Sequence, residues 1–235
     1  CIKATCMSSS SEPGNGVPAW LSKRWINLVN AALAFFLGGA FTAPVLMEYG
    51  WDEAGKLLYR IYGNFCHQFA HRSWFLFGRQ AYYPKTSIHG LLSFEQVFGY
   101  SVNDPYAARA VIGSATAGYK IAICQRDLAM YAAILLFGIV FSILQKRIRR
   151  VSIWIWLLCG VLPLAADGIS QMLGSGPGFF PWLGIRESTP LLRSVTGGLF
   201  GVFSAWYIYP SIEQIPQVQR YKYRQMQQRG RIGDS

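Results

Sequence analysis

The residues able to do chemistry gather in four short blocks. These are CHQFAHRSWFLFGRQ (66 to 80), CQRD (124 to 127), DGISQ (167 to 171) and RESTPLLRSVTG (186 to 197). Two chemistries compete for Cys66 and Cys124. One is a disulfide, which would tie the first block to the second on an oxidising side of a membrane. The other is a pair of thiolates that, with His67 and an aspartate, could hold a divalent metal such as zinc. Free, packed thiols are the third reading, and Cys159, inside an apolar run, is expected to be packing. On a helix His67 and His71 would face the same way. Position 68 is Gln rather than Glu, so HQFAH lacks the general base of a zinc protease helix, and that activity is excluded.

The charged residues suggest a polar network or an anion site. Arg72, Arg126 and Arg193 could hold a phosphate or carboxylate, while Asp127 and Asp167 orient them or move a proton. Asp167 and Gln171 are four apart and share a helix face, as do Arg193, Thr196 and Gly197. The expected ion pair is Asp167 with Arg193, joined by Arg126, Asp127 or Glu187. A structural network holding helix ends together is the competing account. Gly197 and Gly201, four apart, would let a second helix approach closely. Neither a glycine-rich phosphate loop nor a serine nucleophile elbow occurs in a suitable context.

The elements that must position these blocks are membrane helices. The chain has 235 residues, 52% hydrophobic and 14% charged, with a formal charge of +11. A soluble domain carries roughly a quarter charged residues, so a soluble nucleic-acid binder is improbable despite the basic balance. Four apolar stretches are expected to span a hydrocarbon core of roughly 30 Å: 26 to 47, 128 to 145, 151 to 172 and 190 to 209. Half of the 22 basic residues fall in three clusters, at 23 to 24, 146 to 150 and 220 to 231. With four alternating helices these clusters share one side, so the positive-inside rule puts both termini in the cytoplasm. Trp25, Trp154, Trp156 and Trp206 then mark the inner interface, and Trp51 and Trp182 the outer one.

The fold expected is thus all-α and integral to the membrane, a four-helix transmembrane bundle over 23 to 210. Residues 48 to 126 form a long, partly helical outer loop between the first two spans. In that loop AGKLLYRIY (54 to 62) reads as an amphipathic helix, WFLFGRQAYY (74 to 83) as part of the surface-lying helices, and 106 to 123 leaves room for a re-entrant segment. Residues 1 to 22 read as a disordered leader, with Met7 near the natural start and no function for Cys1 or Cys6. Residues 211 to 235 read as a basic cytoplasmic tail attracted to anionic lipid. Measured back from the inner helix ends, Asp127, Asp167 and Arg193 lie at one depth, roughly 24 to 27 Å up.

Together, and in this order, the four blocks resemble a family of predicted prokaryotic membrane proteins, the domain of unknown function 2085. The resemblance spans about 55 to 205. It implies a multi-pass membrane protein and no particular activity. The family's second block often reads Cys-x-Arg-Cys or Cys-x-Arg-Asp; this chain has Asp127, so no Cys-x-x-Cys pair is available here. The connection at about 81 to 120 is longer than in compact members.

The blocks all fall on the outer side, where they can form one polar site. The expected function is binding of a metal ion or of an anionic or lipid-derived ligand at that site, with or without catalysis. The alternative is a non-catalytic accessory subunit of a larger membrane complex, and a transporter is third. Expected partners are membrane lipid, other membrane proteins or further copies of the chain, and not nucleic acid.

Overall fold

The computed structural model describes residues 19–87, 90–144, 147–175 and 188–233. The expected leader up to residue 18 with Cys1 and Cys6, together with Lys146, Trp182 and Glu187, lies outside the described residues.

Three long helices form where the chain offers long apolar runs with few ionised groups. Helix α1 (Ala19–Glu48) takes in four residues expected to belong to the leader. In the loop that follows, α2 (Asp52–Tyr62) opens on Asp52 and Glu53 and closes on Arg60, charges that suit the two ends of a helix dipole. Two short helices then follow, each started by a cap. Ser93 and Gln96 make a capping box for α3 (Phe94–Phe98). Asp104 caps α4 (Pro105–Ala110), with Pro105 in the first turn, where its missing N–H is harmless. Helix α5 (Gln125–Ile143) follows. After α6 (Ile153–Ile155) comes a π-helical turn, Trp156–Val161, and then α7 (Leu162–Ser175). The wide turn sits directly before Pro163, which cannot donate to the carbonyl of Cys159 and whose ring crowds it. Helix α8 (Pro190–Gly233) is the longest.

Among the described residues, three stretches are long and apolar enough to cross a membrane: Arg24–Glu48, Gln125–Ile143 and Ile153–Gln171. Residues 190 to 209, the expected fourth span, form the first half of α8, and the expected basic tail continues that helix. Leu28, Phe35, Leu136, Ile143, Leu158, Leu162, Leu191 and Val195 project from these helices as exposed apolar side chains. Such a belt suits lipid rather than water.

The loop at 48 to 126, expected on the outer side, departs from the all-α expectation. It contains a small antiparallel sheet of β1 (Phe75–Leu76), β2 (Gly113–Ser114) and β3 (Gly118–Lys120) in the order β1-β3-β2. The aromatic run at 74 to 83 therefore supplies a strand, not a surface helix, and 106 to 123 forms α4 and a hairpin, not a re-entrant segment. The aromatic run instead packs inward as a satellite core, with Phe75 and Tyr83 edge-on to each other at 4.9 Å and Phe94 and Phe98 beside them.

Contacts at the two ends fix the directions of the helices. At one end Arg126 of α5 meets Asp167 of α7, and Arg193 of α8 reaches Gln125 of α5. At the other, the Trp25 indole donates to Glu213 at 2.7 Å and the Ser142 hydroxyl donates to Asn27 at 2.8 Å. Helices α5 and α8 thus run parallel, with α1 and the α6 to α7 helix antiparallel to them. Glycine allows α5 and α8 to lie close. A Cβ at Gly197 would stand 2.4 Å from the Arg126 carbonyl oxygen, and one at Gly201 2.4 Å from that of Met130.

Candidate functional site

The site is assembled where the loop docks on α1. Pro44, buried in α1, has no N–H for the carbonyl of Ala40, four residues back. The backbone N–H of Ala122 fills that vacancy at 3.2 Å. The Ala122 carbonyl accepts in turn from the Gln68 side-chain amide at 2.8 Å, and the same amide donates to the Tyr59 carbonyl at 3.0 Å. A break in one helix therefore fixes the strand of chain that leads into Cys124.

Gln68 is held from its backbone too. Its φ of 55° lies in the left-handed region, unusual for a residue with a side chain, and persists because several bonds over-determine it. The Gln68 carbonyl accepts from the Lys120 ammonium at 2.7 Å, and the Arg109 carbonyl accepts from the same group at 2.7 Å. Lys120 is fully buried (0% exposed), and burial lowers its pKa to about 7. The Tyr59 hydroxyl closes the frame by donating to the Lys120 carbonyl.

The frame presents Cys66 to the first turn of α5. Cys124 is the residue before that helix, and its N–H donates to the Cys66 sulfur at 3.3 Å. Both are free thiols. They behave as a donor and acceptor pair: the Cys124 thiol donating to Cys66 holds the Cys66 pKa below the usual thiol value. The same bond, with burial, pushes Cys124 well above it. Asp127, in the first turn of α5, completes a cluster in which the two sulfurs and a carboxylate oxygen all lie within 4.8 Å of one another. The amide ends of α5 make this a favourable place for negative charge.

His67 is placed differently from the expectation. Residues 66 to 69 have no regular secondary structure and 70 to 72 form one tight 3-10 turn, so His67 and His71 do not share a helix face. His67 is exposed, stacks on Phe69 and lies outside the cluster of three, though it lines the adjoining pocket. His71 is buried, and burial with the neighbouring cations lowers its pKa to about 2, so it is neutral at ordinary pH.

A cavity of about 160 Å³ opens beside the cluster, and Arg72, Arg126, Arg193 and Gln171 contribute to its wall. Arg126 forms the ion pair with Asp167, where Arg193 was the expected partner. Asp167 is 5% exposed and also accepts from Gln171 at 3.1 Å and from the Ser188 hydroxyl at 3.1 Å. Arg193 turns instead towards α5 and the loop, donating to Gln125 at 3.2 Å and to the His71 carbonyl at 3.5 Å. The reason is the register set by Gly197, which brings one face of α8 against α5 and carries Arg193, one turn earlier, with it.

Sequence reasoning missed Lys120, Gln125, Tyr59 and Ser188. Lys120 carried a readable signal, a lone cation in YKIAIC just ahead of Cys124. Gln125 stood inside a motif already singled out, and its role as a bridge from Arg193 to the Ser73 carbonyl, at 3.3 Å, is visible only in three dimensions.

With this geometry in hand, comparison with known proteins is informative. Residues 114–207 match the family described as predicted membrane protein (DUF2085). The family resemblance read from the sequence is thereby shown over the last three blocks, whereas the Cys66 block precedes the matched residues. An uncharacterized protein of Methanocaldococcus jannaschii (MJ1492) is 24% identical over 197 residues, covering 81% of this chain and 93% of the relative. No solved structure matches.

Proposed function

We propose that this protein is a four-span membrane protein whose extracytoplasmic pocket binds a divalent thiophilic metal, with zinc the best fit. The ligands are Cys66, Cys124 and Asp127. One observation carries the reading: two sulfurs and a carboxylate, from segments 58 residues apart, converge within 4.8 Å. Ligands on a tetrahedral zinc with bonds of about 2.3 Å stand about 3.8 Å apart, so a contraction of no more than about 1 Å closes the site. Three protein ligands leave a fourth position, and the cavity is where it would open. His67, on the pocket wall, is the side chain placed to approach that position.

The orientation follows the basic clusters, with both termini cytoplasmic and the first half of α8 as the fourth span. The antiparallel course of α1 and the first half of α8 supports an even number of crossings between the ends of the bundle. Lipid surrounds the exposed apolar belt, and further copies of the chain or a larger complex would cover part of it. An accessory, non-catalytic role is the second reading, favoured by the three partners of Asp167, which lock α5, α7 and the start of α8 together. Metal analysis of the purified protein and of Cys66→Ser, Cys124→Ser and Asp127→Asn variants tests the proposal. About one metal per chain is expected in the parent and far less in each variant. A chain without metal and with two thiols fewer than its sequence contains would instead establish the disulfide.

A further inference from the structure

We infer that the pocket beside the cluster takes an oxyanion of the phosphate class, gripped by Arg72 and completing the coordination of the metal; this rests on the metal reading above. The three arginines on the pocket wall are not equivalent. Arg126 is matched by Asp167, and Arg193 is committed to Gln125 and the His71 carbonyl. Arg72 has no carboxylate partner among the described residues, which sets it apart from Arg126; its Nε, like those of Arg126 and Arg193, is buried without a hydrogen-bond acceptor there. Its guanidinium is nevertheless held in place, 5.6 Å over the ring of Phe69.

A buried N–H donor left without an acceptor is costly, and a planar fork of such donors matches an oxyanion that can take two bonds side by side. The wall also limits ligand size. At about 160 Å³ the cavity is well below the roughly 300 to 1,000 Å³ of pockets that enclose drug-sized molecules, so it suits a headgroup rather than a nucleotide or a whole lipid. A phosphate has oxygens enough to meet both Arg72 and a metal at the vacant fourth position. The same chemistry is presented by free phosphate and by the phosphomonoester of a lipid headgroup.

The test uses the full chain in detergent, loaded with cobalt, whose visible spectrum reports its ligands. Inorganic phosphate and dioctanoyl phosphatidic acid are titrated separately, with acetate as the control anion, and the 31P line width is followed alongside. Phosphate is expected to shift the cobalt bands and broaden the 31P line. Arg72→Gln should weaken this roughly ten- to hundredfold with cobalt content unchanged, and Arg72→Lys by less. Tighter binding of phosphatidic acid than of phosphate would assign the lipid source, and the reverse the free ion; either supports the inference. A protein that takes up cobalt but shows no phosphate effect, binds acetate as tightly, or is indifferent to Arg72→Gln overturns the inference alone. A protein that takes up no cobalt overturns the metal reading and the inference with it.

Discussion

Gly197 and Gly198 are neighbours in α8 with opposite surroundings, and the pair gives an internally controlled test of how α8 is seated. A Cβ at Gly197 would lie 2.4 Å from the Arg126 carbonyl oxygen and 3.1 Å from Arg126 Cγ, whereas one at Gly198 meets nothing within 4 Å. Ordinary contact begins near 3.4 Å, so Gly197→Ala requires a displacement of about 1 Å between two helix backbones, neither of which can rotate away as a side chain would. Overpacking of this kind costs about 1 to 3 kcal/mol. Alanine also favours the helix over glycine by about 1 kcal/mol, and that gain is common to both variants. The difference between the two therefore reports the overlap alone. Gly198→Ala should be neutral or stabilised by up to about 1 kcal/mol, and Gly197→Ala should be less stable than it by about 1 to 3 kcal/mol. Unfolding of each variant in the same detergent, followed by circular dichroism, measures this. Equal stabilities would refute the close approach of α5 and α8, and with it the placement of Arg126 and Arg193.

Lys120 makes a pH-dependent prediction. Its folded pKa, about 7, lies below the 10.5 of an exposed lysine, so between these values the unfolded chain binds a proton that the folded chain does not. Stability should therefore rise as pH increases from about 7 to 10.5, with an upper bound of about 5 kcal/mol at 1.36 kcal/mol per pH unit. Lys120→Met should remove that part of the slope, and parallel pH profiles for the two proteins would contradict the burial of an ammonium there. Pro44→Ala should restore an N–H for the Ala40 carbonyl within α1 and displace Ala122; faster hydrogen exchange at the Ala122 amide is expected, and unchanged protection would show that the helix break does not dock the loop. Asp167→Asn should destabilise the protein by about 1 to 3 kcal/mol, less than a fully buried pair would, because the Arg126 side chain is 25% exposed. Adding Arg126→Gln should recover part of that loss, whereas strictly additive effects would contradict a direct pair.

The long helices were legible because a hydrocarbon core imposes a length, and an uncharged run such as INLVNAALAFFLGGAFTAPVLM meets it without reference to any partner. The start of α8 was legible as well, at residue 190, whereas its continuation beyond 209 was not, since the chain there turns polar and basic. That Cys66 and Cys124 meet followed in outline from placing both cysteines on one side of the membrane; the third member of the cluster is Asp127, where His67 was the expected ligand. The identity of the ion pair did not follow. Asp167, Arg126 and Arg193 have similar depths, and depth leaves the rotation of α8 undetermined; that rotation is set by Gly197 resting on the Arg126 backbone. The outer loop misled most. Its aromatic run fits a membrane surface as well as a small core, and only the pairing of Phe75 with Lys120 and Leu76 with Tyr119 makes it a strand. On a helix His71 would have shared a face with His67, and the single tight turn found there instead sends it into the interior.

The central claim is that Cys66, Cys124 and Asp127 are ligands to one metal ion. Zinc-edge X-ray absorption of the metal-loaded protein tests it most directly, because the scattering distances identify the donor atoms. The account predicts two sulfurs at about 2.3 Å and oxygen or nitrogen neighbours at about 2.0 to 2.2 Å, with one sulfur lost in Cys66→Ser and in Cys124→Ser. A shell of oxygen and nitrogen alone, or one unchanged by either substitution, would contradict it.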